Sequence, residues 1–360
     1  MPSGVSGGHT RALAELRRSD GAAFGGKSAN LGELLSIGLR VPAGFAVAAS
    51  AFRSFVAETG LEGTIGRALE RAASGDVDDG AAASKTIGEV MRFAPLPDAV
   101  REELVVRYDE LVRESGGDPP VAVRSSALGE DSDEATFAGQ QESFLWVRGL
   151  EQVCDAVRDC WASLYTPRAI SYRAARGVGG EAPAMGVTVQ EMVDAEVSGV
   201  LFTCNPVSGD PSMVAIEASW GLGLAVVGGE TTPDDFLVSK VTGEVVRRTI
   251  NAKEVEYVPD AGGRGTVRVE VPAKRRGEAC LNEEHLAALV DLARRIERHF
   301  GSHQDVEWAI ARDRTLPDAL VVLQARPVTT VPERTQTLSG SALSLVLEAF
   351  GAPPGTSGKR

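Results

Sequence analysis

Apolar and polar positions follow two rhythms along this chain, helical in its first half and alternating in its second. Leu31, Leu34 and Leu35 recur at helical spacing, so a helix is expected to begin near Ser28 and to stop at Gly38. "LRVPAGFAV" then reads as a turn into a strand. Helical periodicity returns over roughly 50–73 and 82–114, with the Gly/Asp-rich "SGDVDDGAAAS" between them as a linker. "PPVAVRSSA" reads as a short buried strand, "LGEDSDEATFAGQ" as a polar loop and "ESFLWV" as a second strand. Leu150 to Arg176 reads as helix, broken at Pro167.

Beyond that point strands take over: "GVTVQEMV", "SGVLFTCNP", "MVAIEASWG" and "DFLVSKVTGEVV". A helix is expected over about 283–299, and "QDVEWAIARD" and "ALVVLQARPV" should pair as strands. The pattern predicts a mixed α/β and α+β chain without internal repeats. Its expected divisions are a helix-rich lobe over 1–189, a strand-rich lobe over 190–332 and a Ser/Gly/Pro-rich tail over 333–360.

Composition narrows what such a chain does. With 360 residues and 43% apolar positions there is enough material for a real core. A formal charge of −13 with 5% aromatics argues against nucleic acid as the partner. No apolar run reaches the roughly 18–20 residues of a membrane span. The four cysteines form no CxxC pair, and no apolar segment opens the chain; both lead to the expectation of a reducing cytoplasm. With four histidines and no Cys/His cluster, a zinc site is not expected.

One stretch poses a chemical question. "GAAFGGKS" satisfies the phosphate-cradling P-loop pattern through Gly21, Gly26, Lys27 and Ser28. A P-loop needs a buried strand running into its first glycine, and here Arg17, Arg18, Ser19 and Asp20 stand in that place. The match is therefore read as coincidence, with Gly25–Gly26 as a turn. Lys27 is left as either a solvated charge or a cation used elsewhere.

Triphosphate binding without a P-loop calls for several cations, oxygen ligands for a metal and an apolar slot for a base. Arg124 ends a buried strand, either as a phosphate clamp or in a structural ion pair. Asp305 and Glu307 share a strand face, as do Gln324 and Arg326, so the paired strands present an acid–amide set and a cation to one side. Val306 and Trp308 alternate with the acids, which makes the polar face the lining of a cleft. Gln190 to Val193 could offer backbone groups to an adenine edge beside apolar Met192. The loop "ATFAGQQ", with Thr136, Ala138 and Gly139, could lie over phosphates through its N–H groups.

These motifs resemble the N-terminal nucleotide-binding domain of phosphoenolpyruvate synthase and pyruvate phosphate dikinase, also found in rifampicin phosphotransferase. The resemblance runs from about Ala14 to Val331. It is carried by "GGKSANLGELLSIGLRVPAGFAV", "VAVRSSALGEDSDEATFAGQQESFL", "CWASLYTPRAISYR", "VQEMVDAEVSGVLFTCNP", "GLGLAVVGGETTPDDF", "DVEWA" and "LQARPVT". It implies an ATP-grasp-like fold with ATP and Mg2+ between two lobes. Carried over, Lys27 and Arg124 contact phosphates, and Gln190, Glu191, Met192 and Val193 frame the adenine. Glu307 and Gln324 hold magnesium with Asp305 assisting, and Arg326 meets the γ-phosphate. The usual GLGE is here GLGL, with Leu224 in place of the glutamate.

Family members continue into a domain carrying a phosphohistidine. His9, His285, His299 and His303 match no such motif, so the resemblance implies a separate subunit bearing the histidine. Phenylphosphate synthase and 4-methylbenzyl phosphate synthase are divided in this way and act on phenol or p-cresol. The expected function is thus the ATP-binding subunit of a two-component, AMP-forming phosphotransferase. The competing readings are an ATP-grasp ligase that forms an acyl phosphate and releases ADP, and a nucleotide-binding module without turnover.

Overall fold

The computed structural model describes residues 8–72, 77–128, 142–176, 184–263 and 265–328. Thr136, Ala138, Gly139 and the expected tail lie outside them. The chain enters through β1 (Thr10–Ala12) and two short 3-10 turns, then forms α1 (Gly21–Phe24) and α2 (Gly26–Ser36) and returns as β2 (Gly44–Val47). Gly25, at φ 83°, turns the chain directly from α1 into α2, so α2 starts two residues ahead of Ser28. No strand runs directly into Gly21: Arg18–Asp20 is a 3-10 turn and Gly21–Phe24 a helical turn, which removes the P-loop reading.

Four helices follow: α3 (Ala49–Glu58), α4 (Glu62–Ala72), α5 (Val77–Phe93) and α6 (Asp98–Ser115). The expected linker is corrected here, because α5 begins at Val77 and absorbs most of it. Three consecutive alanines, Ala81 to Ala83, outweigh Gly80 at this end of the helix. Next come β3 (Val121–Ala127), β4 (Ser143–Val147), α7 (Leu150–Ala162), α8 (Pro167–Arg176) and β5 (Met185–Glu191).

Strands β1 to β5 form an antiparallel sheet in the order β1-β2-β5-β3-β4. On one face Phe45, Val47, Val123, Val187 and Val189 pack against the helices through Phe52, Phe55, Met91, Leu104 and Trp161. Between β3 and β4 the register slips at Val121/Val123, close to Trp146. Trp146 has a left-handed backbone, φ 59°, and is the only non-glycine residue to do so among the described residues. For a bulky side chain this conformation costs about 1–3 kcal/mol.

The second half supplies β6 (Ala195–Phe202), β7 (Met213–Trp220), α9 (Leu224–Val227), β8 (Asp234–Ser239) and β9 (Val245–Thr249). After the hairpin β10 (Val255–Pro259) and β11 (Thr266–Glu270) come α10 (Ala273–Arg276), α11 (Glu283–Phe300), β12 (Gln304–Ala311) and β13 (Leu320–Pro327). The sheet order is β13-β12-β6-β7-β8-β9, again antiparallel throughout. The architecture is therefore α+β rather than α/β.

Helix α2 does not keep to the expected division. Leu31 and Leu34 belong to the core of the second sheet, with Val197, Leu201, Ile216, Val306 and Trp308 and with Leu289 and Ile296 of α11. Its other side lies close against the first sheet, where Ser28 Oγ meets Thr188 Oγ1 at 2.7 Å. A Cβ added at Gly25 would stand 2.2 Å from the Ser126 carbonyl oxygen. The expected boundary at 189/190 itself passes through β5. Among the described residues no helix is long and apolar enough to cross a membrane.

Candidate functional site

The two sheets and α2 together line a cleft of about 730 Å³. It gathers Lys27, Arg124, Gln190, Glu191, Met192, Val193, Asp305, Glu307, Gln324 and Arg326, all the described residues expected at the site. Thr136, Ala138 and Gly139 fall outside the described residues.

Strand alternation explains the gathering. On the second sheet, β13 pairs β12 with Glu307 opposite Gln324 and Asp305 opposite Arg326. The row through Glu307 continues across Val200 on β6 and Glu217 on β7 to Asp235 on β8. Between these positions Val306 and Trp308 turn the other way and are fully buried. On the first sheet Arg124 lies opposite Thr188, and Ala122 opposite Gln190. Arg124 Nη1 reaches across the cleft to Glu307 Oε2 at 3.7 Å. Lys27, near the start of α2, is buried and donates from Nζ to the Ser125 carbonyl oxygen at 3.0 Å.

Asp305 is already engaged. Its Oδ2 accepts from Arg326 Nε at 2.9 Å and lies 2.8 Å from Nη2, so the carboxylate aims the guanidinium. Burial raises the Asp305 pKa above the ordinary carboxylate value; Arg326 opposes the shift and Glu307 adds to it. Glu217 is raised by burial first and then by the charges of Asp235 and Asp305. A site that penalises its own carboxylates in this way is suited to receiving positive charge.

The backbone groups expected for a base are partly consumed. Glu191 N–H donates to the Ala43 carbonyl and Met192 N–H to the Pro120 carbonyl, each at 2.8 Å. Gln190 and Glu191 are the last two residues of β5. Two buried nitrogens in the cleft, Arg124 Nε and Gln190 Nε2, have no partner among the described residues.

Sequence reasoning missed Glu217, although an acid isolated in the apolar run "MVAIEASW" was a usable signal. Leu224, at the start of α9, also lines the cleft, along with Leu222 and Val226. Among the described residues no group of three or more His, Cys, Asp and Glu side chains could hold a metal ion. The oxygen set here is two carboxylates and an amide.

Residues 22–342 match the family described as pyruvate phosphate dikinase, AMP/ATP-binding domain. A probable phosphoenolpyruvate synthase of Methanothermobacter thermautotrophicus is 40% identical over 347 residues, covering 96% of this chain and 50% of that protein. The phosphoenolpyruvate synthase of Pyrococcus furiosus is 37% identical over 383 residues, covering 95% of this chain and 46% of that protein. That of Aeropyrum pernix is 39% identical over 330 residues, covering 85% and 40%. The chain thus spans about half the length, or less, of these relatives. With a match across nearly every described element, the chain belongs to the pyruvate phosphate dikinase AMP/ATP-binding domain family.

Proposed function

We propose that this chain is the ATP-binding subunit of an AMP-forming phosphotransferase with an ATP-grasp-like, two-lobed fold. It passes the β-phosphoryl of ATP, through a histidine on a separate subunit, to a small acceptor of the phenolic kind. The observation that carries the reading is the convergence of Lys27, Arg124 and Arg326 on one cleft with Glu307 and Gln324.

Each residue has a task set by its surroundings. Arg124 sits in the middle of β3 rather than at a strand end, and its Nε has no partner among the described residues, so phosphate oxygens supply what the protein leaves open. Lys27, fixed through Ser125, adds a second positive charge at the floor. Asp305 orients Arg326 toward the charge that develops during transfer. Glu307 and Gln324, directly opposed hard oxygen donors, fit magnesium, and Glu217 extends the row. Bound there, the metal would neutralise phosphate oxygens.

A histidine on a separate subunit is supported by the local contacts of the four in this sequence. His9 contacts Ser50, His285 caps α11 with Asn282, His299 pairs with Glu33 and His303 with Glu297. No histidine is among the described residues lining the cleft. The test is incubation with labelled ATP, the histidine-bearing subunit and a phenol. AMP, phosphate and a labelled partner histidine are expected; ADP as the sole nucleotide product would overturn the proposal in favour of a ligase.

A further inference from the structure

Trp146 keeps a backbone conformation that its own side chain disfavours, and the packing of its indole supplies a reason. The residue sits on β4, the edge strand of the first sheet, and is 7% exposed. The other buried members of its cluster, Ala195, Leu222, Ala309 and Val321, all come from the second sheet or the loop after β7. Its carbonyl oxygen accepts from Gly265 N–H at 3.2 Å, in the turn of the β10–β11 hairpin. Side chain and main chain of one residue therefore fasten the edge of the first sheet to the second half of the molecule.

That cluster backs the apolar wall of the cleft. Ala195, Leu222 and Ala309 belong to both, and Met192, Val193 and Leu323 line the cleft while packing on the cluster. Leu145, the residue before Trp146, lines the cleft as well. Trp146 thus packs on apolar members of the cleft lining.

We infer that Trp146 is a positioning residue for the base of the nucleotide. Its indole holds in place the apolar wall against which a planar heterocycle packs, and the left-handed turn is retained because it delivers the indole there. The inference rests on the cleft being a nucleotide site. It predicts that the base, and not the phosphates, senses the loss of the indole.

Calorimetric titration of the whole chain with ATP and with inorganic tripolyphosphate, both with Mg2+, tests this. Trp146→Ala should weaken ATP about tenfold and leave tripolyphosphate within about twofold. Trp146→Phe should retain ATP binding within about threefold. Trp146→Asn, which accepts the left-handed backbone, should weaken ATP as the alanine variant does, separating the indole from the strain. Unchanged ATP affinity in the alanine variant, or equal losses for ATP and tripolyphosphate, would overturn the inference. A wild-type chain that binds neither compound overturns the nucleotide reading itself.

Discussion

Two acid–base pairs in the second half of the molecule have like chemistry and opposite settings. Lys253 and Asp234 are completely buried, with Nζ 2.5 Å from Oδ1. Every direction around them is answered: Asp234 also accepts from the backbone N–H groups of Asn251 and Cys280 and from Cys280 Sγ, and Lys253 donates to the Asn251 carbonyl. Arg326 and Asp305 stand at the cleft, with Arg326 about half exposed and the neighbouring Arg124 Nε and Gln190 Nε2 lacking partners. The first network is closed and holds the segment around residues 251–280 to β8. The second borders a cleft in which two buried polar groups lack partners among the described residues, an arrangement that suits a ligand site.

The largest effect should come from breaking the closed pair. Lys253→Met leaves a buried carboxylate uncompensated and is expected to cost about 3–5 kcal/mol in urea unfolding. Arg326→Ala or Glu307→Ala should instead lower partner-histidine phosphorylation by at least about a hundredfold. The melting temperature of either variant should stay within about 2 °C of wild type. Melting of the Arg326 variant alongside the Lys253 variant would break the comparison.

Gln190→Met sharpens it from the other side. Replacing a buried amide whose nitrogen has no partner by an apolar side chain of similar volume should leave the unliganded protein unchanged or more stable by about 1 kcal/mol, while ATP affinity falls. A clear loss of unliganded stability would mean that the amide is structural.

The smallest effect belongs to a surface pair between α2 and α11. The Glu33 carboxyl is held below its ordinary pKa, first by the Arg18 backbone N–H and then by His299. A depressed carboxylate contributes stability that is present above the unfolded-state value and lost as pH falls through the folded-state value. Glu33→Gln should therefore lower the melting temperature by about 1 °C at neutral pH, with the difference vanishing in acid.

What could be read from the sequence follows from how local each signal is. Val306 and Trp308 alternating with Asp305 and Glu307 form a period-two pattern within four residues, so the β12–β13 face and its polar lining were legible. Arg124 at the end of an apolar run was legible for the same reason. The consumption of the Glu191 and Met192 donors was not, because Ala43 and Pro120 are distant in sequence and carry no mark of their pairing. The hairpin β10–β11 escaped because its strands are short, half-exposed and interspersed with charge. Nor does a tryptophan announce a left-handed turn as glycine or asparagine would, so the bulge at Trp146 emerges only from the fold. The double attachment of α2 was hidden too: an apolar stripe shows that something covers it without naming the cover.

That attachment bears on how the chain is made. Asn30 Nδ2 donates to the Ala325 carbonyl across 295 residues. At synthesis rates of about 5–20 residues per second, roughly 15–60 s separate the emergence of α2 from that of its last docking strand. Through that interval Leu31 and Leu34 must be shielded by transient neighbours or by a chaperone. The helix that presents Lys27 to the cleft is therefore translated well before the strand that completes its packing.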